Sequence, residues 1–66
     1  NNGGIDMAWI ARDKYNDLYI YMDKPKRDEE NLIWTSNSDF AMLSYKADKK
    51  LIHKTITWDD EPVELK

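Results

Sequence analysis

Ala8-Trp9-Ile10-Ala11-Arg12-Asp13-Lys14-Tyr15-Asn16-Asp17-Leu18-Tyr19-Ile20-Tyr21-Met22 is the stretch that decides the fold. Two runs in it, Ala8 to Arg12 and Leu18 to Met22, alternate apolar with polar or amphipathic side chains at period two. That period belongs to strands, where successive side chains point to opposite faces. Between the runs, Asp13 to Asn16 and Asp17 supply turn chemistry, because Asn and Asp tolerate left-handed backbone and cap their own turns. Alternating runs joined by so short a polar connection predict a β-hairpin.

Outward from the hairpin, the first strand is read from Met7 to Arg12 and the second from Leu18 to Met22. Pro25 lacks the donor a central strand needs, so Asp23 to Asn31 reads as a charged loop. Leu32 to Thr35 is a short third strand, closed by Ser36 to Asp39, and Phe40 to Tyr45 is the fourth. Lys46 to Lys50 reads as a turn or a single helical turn. Lys54 to Trp58 is expected as a fifth strand, broken at Asp59-Asp60-Glu61-Pro62, with Val63 to Leu65 a short terminal strand. The expected class is mainly all-β: a small five-stranded antiparallel meander or SH3-like barrel with one short helical turn. Residues 1–6 are expected to be a disordered tail or cloning remnant, and residues 7–66 a single small β domain.

A chain of 66 residues buries only about 60% of the surface its unfolded form exposes. Small domains compensate with disulfides, a metal, oligomerisation or large side chains. Cysteine is absent, which excludes disulfides and a Cys-type zinc site. Three Trp, four Tyr and one Phe remain as the packing material, each able to bury roughly 150–250 Å². No apolar stretch approaches the roughly 20 residues that cross a bilayer, and the expected setting is the cytoplasm. The net charge of −3, from 13 acidic and 10 basic side chains, argues against a general duplex-DNA binder.

Alternation also sorts side chains by face. Ala8, Ile10, Leu18, Ile20, Met22, Phe40, Met42 and Ile56 are expected on one buried face. Trp9, Tyr19 and Tyr21 then lie opposite, as a second small core or an exposed patch. Trp and Tyr dominate binding hot spots, so these three are the candidate protein-binding residues, although aromatics on strands are more often packing pairs. A homodimer contact satisfies both readings. Lys24, Lys26 and Arg27 are the candidate nucleic-acid-binding cluster, since single-strand binders pair a basic groove with aromatic strands. Asp28, Glu29 and Glu30 follow at once and offset that charge, so a balanced surface loop is favoured.

Catalytic equipment is not evident. One histidine, His53, stands without a nucleophile or orienting partner nearby in sequence, and reads as a solvated or edge-of-core residue. Neither a phosphate-cradling glycine loop nor a metalloprotease or serine-hydrolase motif occurs. Asp59, Asp60, Glu61 and Glu64 lack the ligand spacing of a calcium loop and read as solvated charges. No enzyme activity, cofactor or metal is therefore expected.

Trp9-Ile10-Ala11-Arg12-Asp13, the Lys24-Pro25 loop, Trp34, and Trp58-Asp59-Asp60-Glu61-Pro62-Val63-Glu64-Leu65 occur in that order. In this the chain resembles short uncharacterised proteins of gut bacteria and their prophages or mobile elements. Those proteins open on Trp-x-Ala-Arg-Asp and close on a Trp-Glu-Asp-Glu-Pro-like tail. Leu51-Ile52-His53-Lys54 departs from their pattern, which has a Phe-Pro approach to the last strand. The resemblance implies a bacterial or phage origin and transfers no functional residue. The expected function is a small non-enzymatic adaptor or modulator that binds another protein. A single-stranded nucleic-acid module and an acidic DNA mimic are the alternatives.

Overall fold

The hairpin forms where the alternation places it. The structure, a computed structural model, describes residues 8–66; the expectation for residues 1–6 falls outside them. Strands β1 (Trp9–Arg12) and β2 (Leu18–Tyr21) run antiparallel, with Trp9 opposite Tyr21 and Ala11 opposite Tyr19. The connection closes on Asp13, whose carboxylate Oδ1 accepts the N–H groups of Tyr15 at 2.9 Å and Asp17 at 3.0 Å. Asn16 takes the left-handed conformation at φ 73°, which its short polar side chain tolerates.

Among the described residues, four further strands and one helix follow the hairpin. They are β3 (Lys26–Asp28), β4 (Ile33–Thr35), β5 (Phe40–Met42), α1 (Ala47–Ile52) and β6 (Val63–Glu64). The main sheet has the order β5-β2-β1-β6, and β3 and β4 form a separate two-stranded sheet. The class is mainly β, as expected, with six strands among the described residues rather than five. The first hairpin stands at the centre of the sheet, and the later strands add to its two sides.

Two segments differ from their reading. The charged stretch Asp23 to Asn31 contains β3, which pairs Lys26 with Thr35, Arg27 with Trp34 and Asp28 with Ile33. Pro25 precedes the strand and so costs it no ladder bond. Lys54 to Trp58 is no strand. Ile56 is buried, but its N–H donates to the Asp48 carboxylate at 2.9 Å and its C=O accepts from Arg12 Nε at 2.7 Å. Side chains thus replace the ladder. Thr57 to Asp60 then turns, with the Asp60 carboxylate accepting the Thr57 N–H at 2.8 Å.

The main sheet is covered on both faces. On one, Ile10, Leu18 and Ile56 form a core with Ile20, Leu43, Ile52 and Val63 packed around it. On the other, Ala11, Tyr21 and Trp34 pack with Trp9, Tyr19 and Trp58. The expected buried face holds for Ala8, Ile10, Leu18 and Ile56. It fails for Phe40 and Met42, because β5 pairs them with Tyr21 and Tyr19 and so places them on the aromatic face at an outer edge. Met22 lies just past the end of β2 and is exposed.

Candidate protein-binding face

The aromatic face is built from alternate residues of three strands. Trp9 and Ala11 of β1, Tyr19 and Tyr21 of β2, and Phe40 and Met42 of β5 share it through the paired registers. The β3–β4 sheet lies over part of this face, and Trp34 fixes it there by donating its indole N–H to the Arg12 carbonyl at 2.9 Å. Tyr21 is buried, whereas Trp9 and Tyr19 are half-buried. The three candidates therefore belong to a second core. Burial, with the Tyr19 hydroxyl and Asp13 charge adding to it, pushes the Tyr21 phenol up to about 12.

The open part of this face lies at β5. Phe40 is 58% exposed and Met42 57%, although both stand on a sheet strand. Phe40 touches Tyr19 and Tyr21, with ring centroids 6.1 and 5.8 Å away. Leu43 N–H donates to the Leu18 carbonyl and Met22 N–H to the Asp39 carbonyl. In an antiparallel ladder, facing groups alternate along the strand. The N–H and C=O groups of Phe40 and Met42 therefore point away from β2, and none has a partner among the described residues. An edge of this kind is a template for a further strand, and edge strands usually carry charges or proline against it. Phe40-Ala41-Met42 carries neither.

The basic cluster is largely engaged. The Arg27 guanidinium lies 4.4 Å from the ring centroids of both Trp34 and Trp58, and donates to the Trp58 carbonyl at 2.7 Å. Lys24 Nζ lies 5.4 Å from the Trp9 ring. Lys26 is exposed and lines a polar hollow of about 310 Å³ with Asp23, Lys24 and Thr35. Lys24 and Arg27 thus lie against the chain's own tryptophans, while Lys26 stays open to solvent.

Sequence reasoning missed the Arg12–Asp48 pair. Arg12 Nη2 meets Asp48 Oδ2 at 3.0 Å with both side chains almost fully buried. Arg12 also donates to the carbonyls of Ile56, Asn16 and Tyr45. Asp48 is penalised by burial, but the Ile56 N–H and Arg12 outweigh that and hold its carboxyl below the usual range. The legible signal was parity: Arg12 alternates with Ile10 on the apolar face, and a buried cation requires a carboxylate partner. His53, the one histidine, is exposed and ends α1 in left-handed backbone, its N–H donating to the Lys49 carbonyl at 3.1 Å.

Among the described residues no cluster of three or more metal-ligating side chains occurs. No helix there is long and apolar enough to cross a membrane. No family profile, curated protein or solved structure matches the chain.

Proposed function

We propose that this chain is a small non-enzymatic protein-binding module, an adaptor or modulator, that takes up an extended segment of a partner protein as an added strand on β5. One observation carries the reading: β5 presents exposed Phe40 and Met42 beside an unpaired row of their own backbone groups. Strand addition supplies main-chain hydrogen bonds for affinity and side-chain contacts for selectivity. Hollows flank the strand on both faces, one of about 150 Å³ by Ile20, Met22 and Ala41, the other of about 140 Å³ by Tyr19, Tyr21 and Trp34. The nucleic-acid alternative has less support, because Arg27 and Lys24 are already held against tryptophan rings. A cytoplasmic setting and a bacterial or phage origin belong to the same reading.

The test places a photo-crosslinking residue at position 42, and at position 50 as a control, in the cells that express the protein. A heterologous protein joined from position 42 alone, and lost in the Phe40→Ser variant, is the expected result. Crosslinks only to a second copy would replace the adaptor reading with self-association. Equal labelling from both positions would remove β5 as the site.

A further inference from the structure

Every tryptophan of the aromatic face has a cation of this chain against it. Lys24 covers Trp9, and Arg27 lies against both Trp34 and Trp58. The Tyr19, Tyr21 and Phe40 group differs, with no lysine or arginine at ring-stacking distance among the described residues. Its rings are inclined to one another by 37° to 68° and wall a hollow of about 140 Å³, completed by Asp13, Ile33 and Trp34.

Asp13 is the unusual member. It is 7% exposed, yet it has no ion pair among the described residues. Its Oδ1 accepts the turn N–H groups of Tyr15 and Asp17, and Oδ2, which has no partner within the described residues, remains open to solvent and so to an incoming cation. The charge reaches the ring cluster, since it contributes to holding the Tyr21 phenol neutral. Aromatic faces carry negative potential and attract cations, most strongly where water is excluded. A carboxylate at the rim of the hollow, with one oxygen open and no cation against it, reinforces that potential.

We propose that this hollow seats the ammonium head of a lysine side chain carried by the segment that adds to β5. The inference rests on the strand-addition reading, and Phe40 joins the two: its backbone forms the open edge and its ring forms a wall of the hollow. A segment paired along β5 directs alternate side chains over the aromatic face. One of them reaches the hollow while its ammonium meets the rings and the Asp13 carboxylate. At roughly 30 Å³ per water-sized group, the space accepts an ammonium with its neighbouring methylene or methyl groups. The selected partner is thus an extended segment with a lysine, plain or N-methylated, among apolar or β-branched residues.

The experiment is an amide and indole NMR titration with the capped pentapeptide Thr-Val-Lys-Val-Thr, its N-trimethyl-lysine form, and its norleucine form. Choline and its uncharged carbon isostere 3,3-dimethylbutan-1-ol are titrated alongside. The lysine peptides are expected to shift the Phe40 and Met42 amides and the Trp34 indole together. They should bind at least about fivefold more tightly than the norleucine peptide. The Asp13→Asn variant keeps an oxygen for the turn and should lose that preference; Phe40→Leu, at an exposed position, should weaken it without altering the melting temperature. Choline should shift the Trp34 indole and its isostere should not. Equal binding of lysine and norleucine peptides would overturn the lysine seat and leave strand addition standing. A choline response with no peptide shift at β5 would overturn strand addition, and with it the lysine assignment. Silence from all probes would overturn both.

Discussion

Arg12 and Asp48 show how much a single buried pair decides in a chain of this size. Removing one partner from a buried ion pair leaves an uncompensated charge, which costs about 3–5 kcal/mol. Asp48→Ala is expected to lose that much in urea denaturation, because Arg12 and the Ile56 N–H both lose their acceptor. The pair also sets an acid limit. The Asp48 carboxyl is held below its ordinary range in the folded chain, so its contribution is complete above the unfolded carboxylate pKa and disappears as pH falls through the lower folded value. Urea midpoints measured from pH 6 downward should fall for the wild type and change less in Asp48→Asn. His53 offers the opposite lesson. It sits at φ 61°, ψ 28° at the helix end, a conformation that glycine adopts without a Cβ penalty. The left-handed strain of about 1–2 kcal/mol exceeds glycine's added chain entropy of about 0.5–1 kcal/mol, so His53→Gly should stabilise the protein by about 0.5 kcal/mol, read as a raised urea midpoint at unchanged slope.

Among the elements, β3 and β5 make contrasting use of aromatic surroundings. Strand β3 is short and highly charged, and Arg27 secures it by stacking on Trp34 and Trp58 and by donating to the Trp58 carbonyl. Cation–π contacts contribute roughly 0.5–2 kcal/mol according to burial, and a lysine cannot reproduce the planar fork. Arg27→Lys should therefore cost about 1 kcal/mol by chemical denaturation, with changed fluorescence from Trp34 and Trp58. Strand β5 is anchored on one side only. A lysine in place of Met42 would face solvent at the open edge, and such substitutions guard natural edges. Met42→Lys should change stability by no more than about 0.5 kcal/mol while suppressing association at β5, measurable by sedimentation alongside the crosslinking described above.

For the molecule as a whole, two cores on opposite sides of one sheet hold the fold, and the aromatic one gives it an alkaline limit. Tyr21 is pushed up to about 12, above the roughly 10 of a free phenol. The Tyr21 contribution is complete below pH 10 and falls as pH rises from there toward 12, because only the unfolded chain releases the proton easily. The loss by pH 12 is of order 2 kcal/mol, and Tyr21→Phe should flatten that part of a denaturation profile. The central hairpin, its turn on Asp13, the short helix and the terminal strand were legible because each is written in neighbouring residues: alternation, turn chemistry and breakers. The mainly β class followed from them. Strand β3 was not legible, since a run of Lys, Arg and Asp becomes a strand only once Trp34 and Trp58 cover it. Nor was the fate of Lys54 to Trp58, whose alternation is genuine but whose backbone groups are taken by Arg12 and Asp48 from distant parts of the chain. The candidate aromatics were found in sequence, but their exposure was not. Period two says which side chains share a face and not whether another layer covers it. Local pattern determined the strands, and only tertiary packing decided that Tyr21 is enclosed while Phe40 and Met42 stand at an open edge, because coverage depends on which strand ends the sheet.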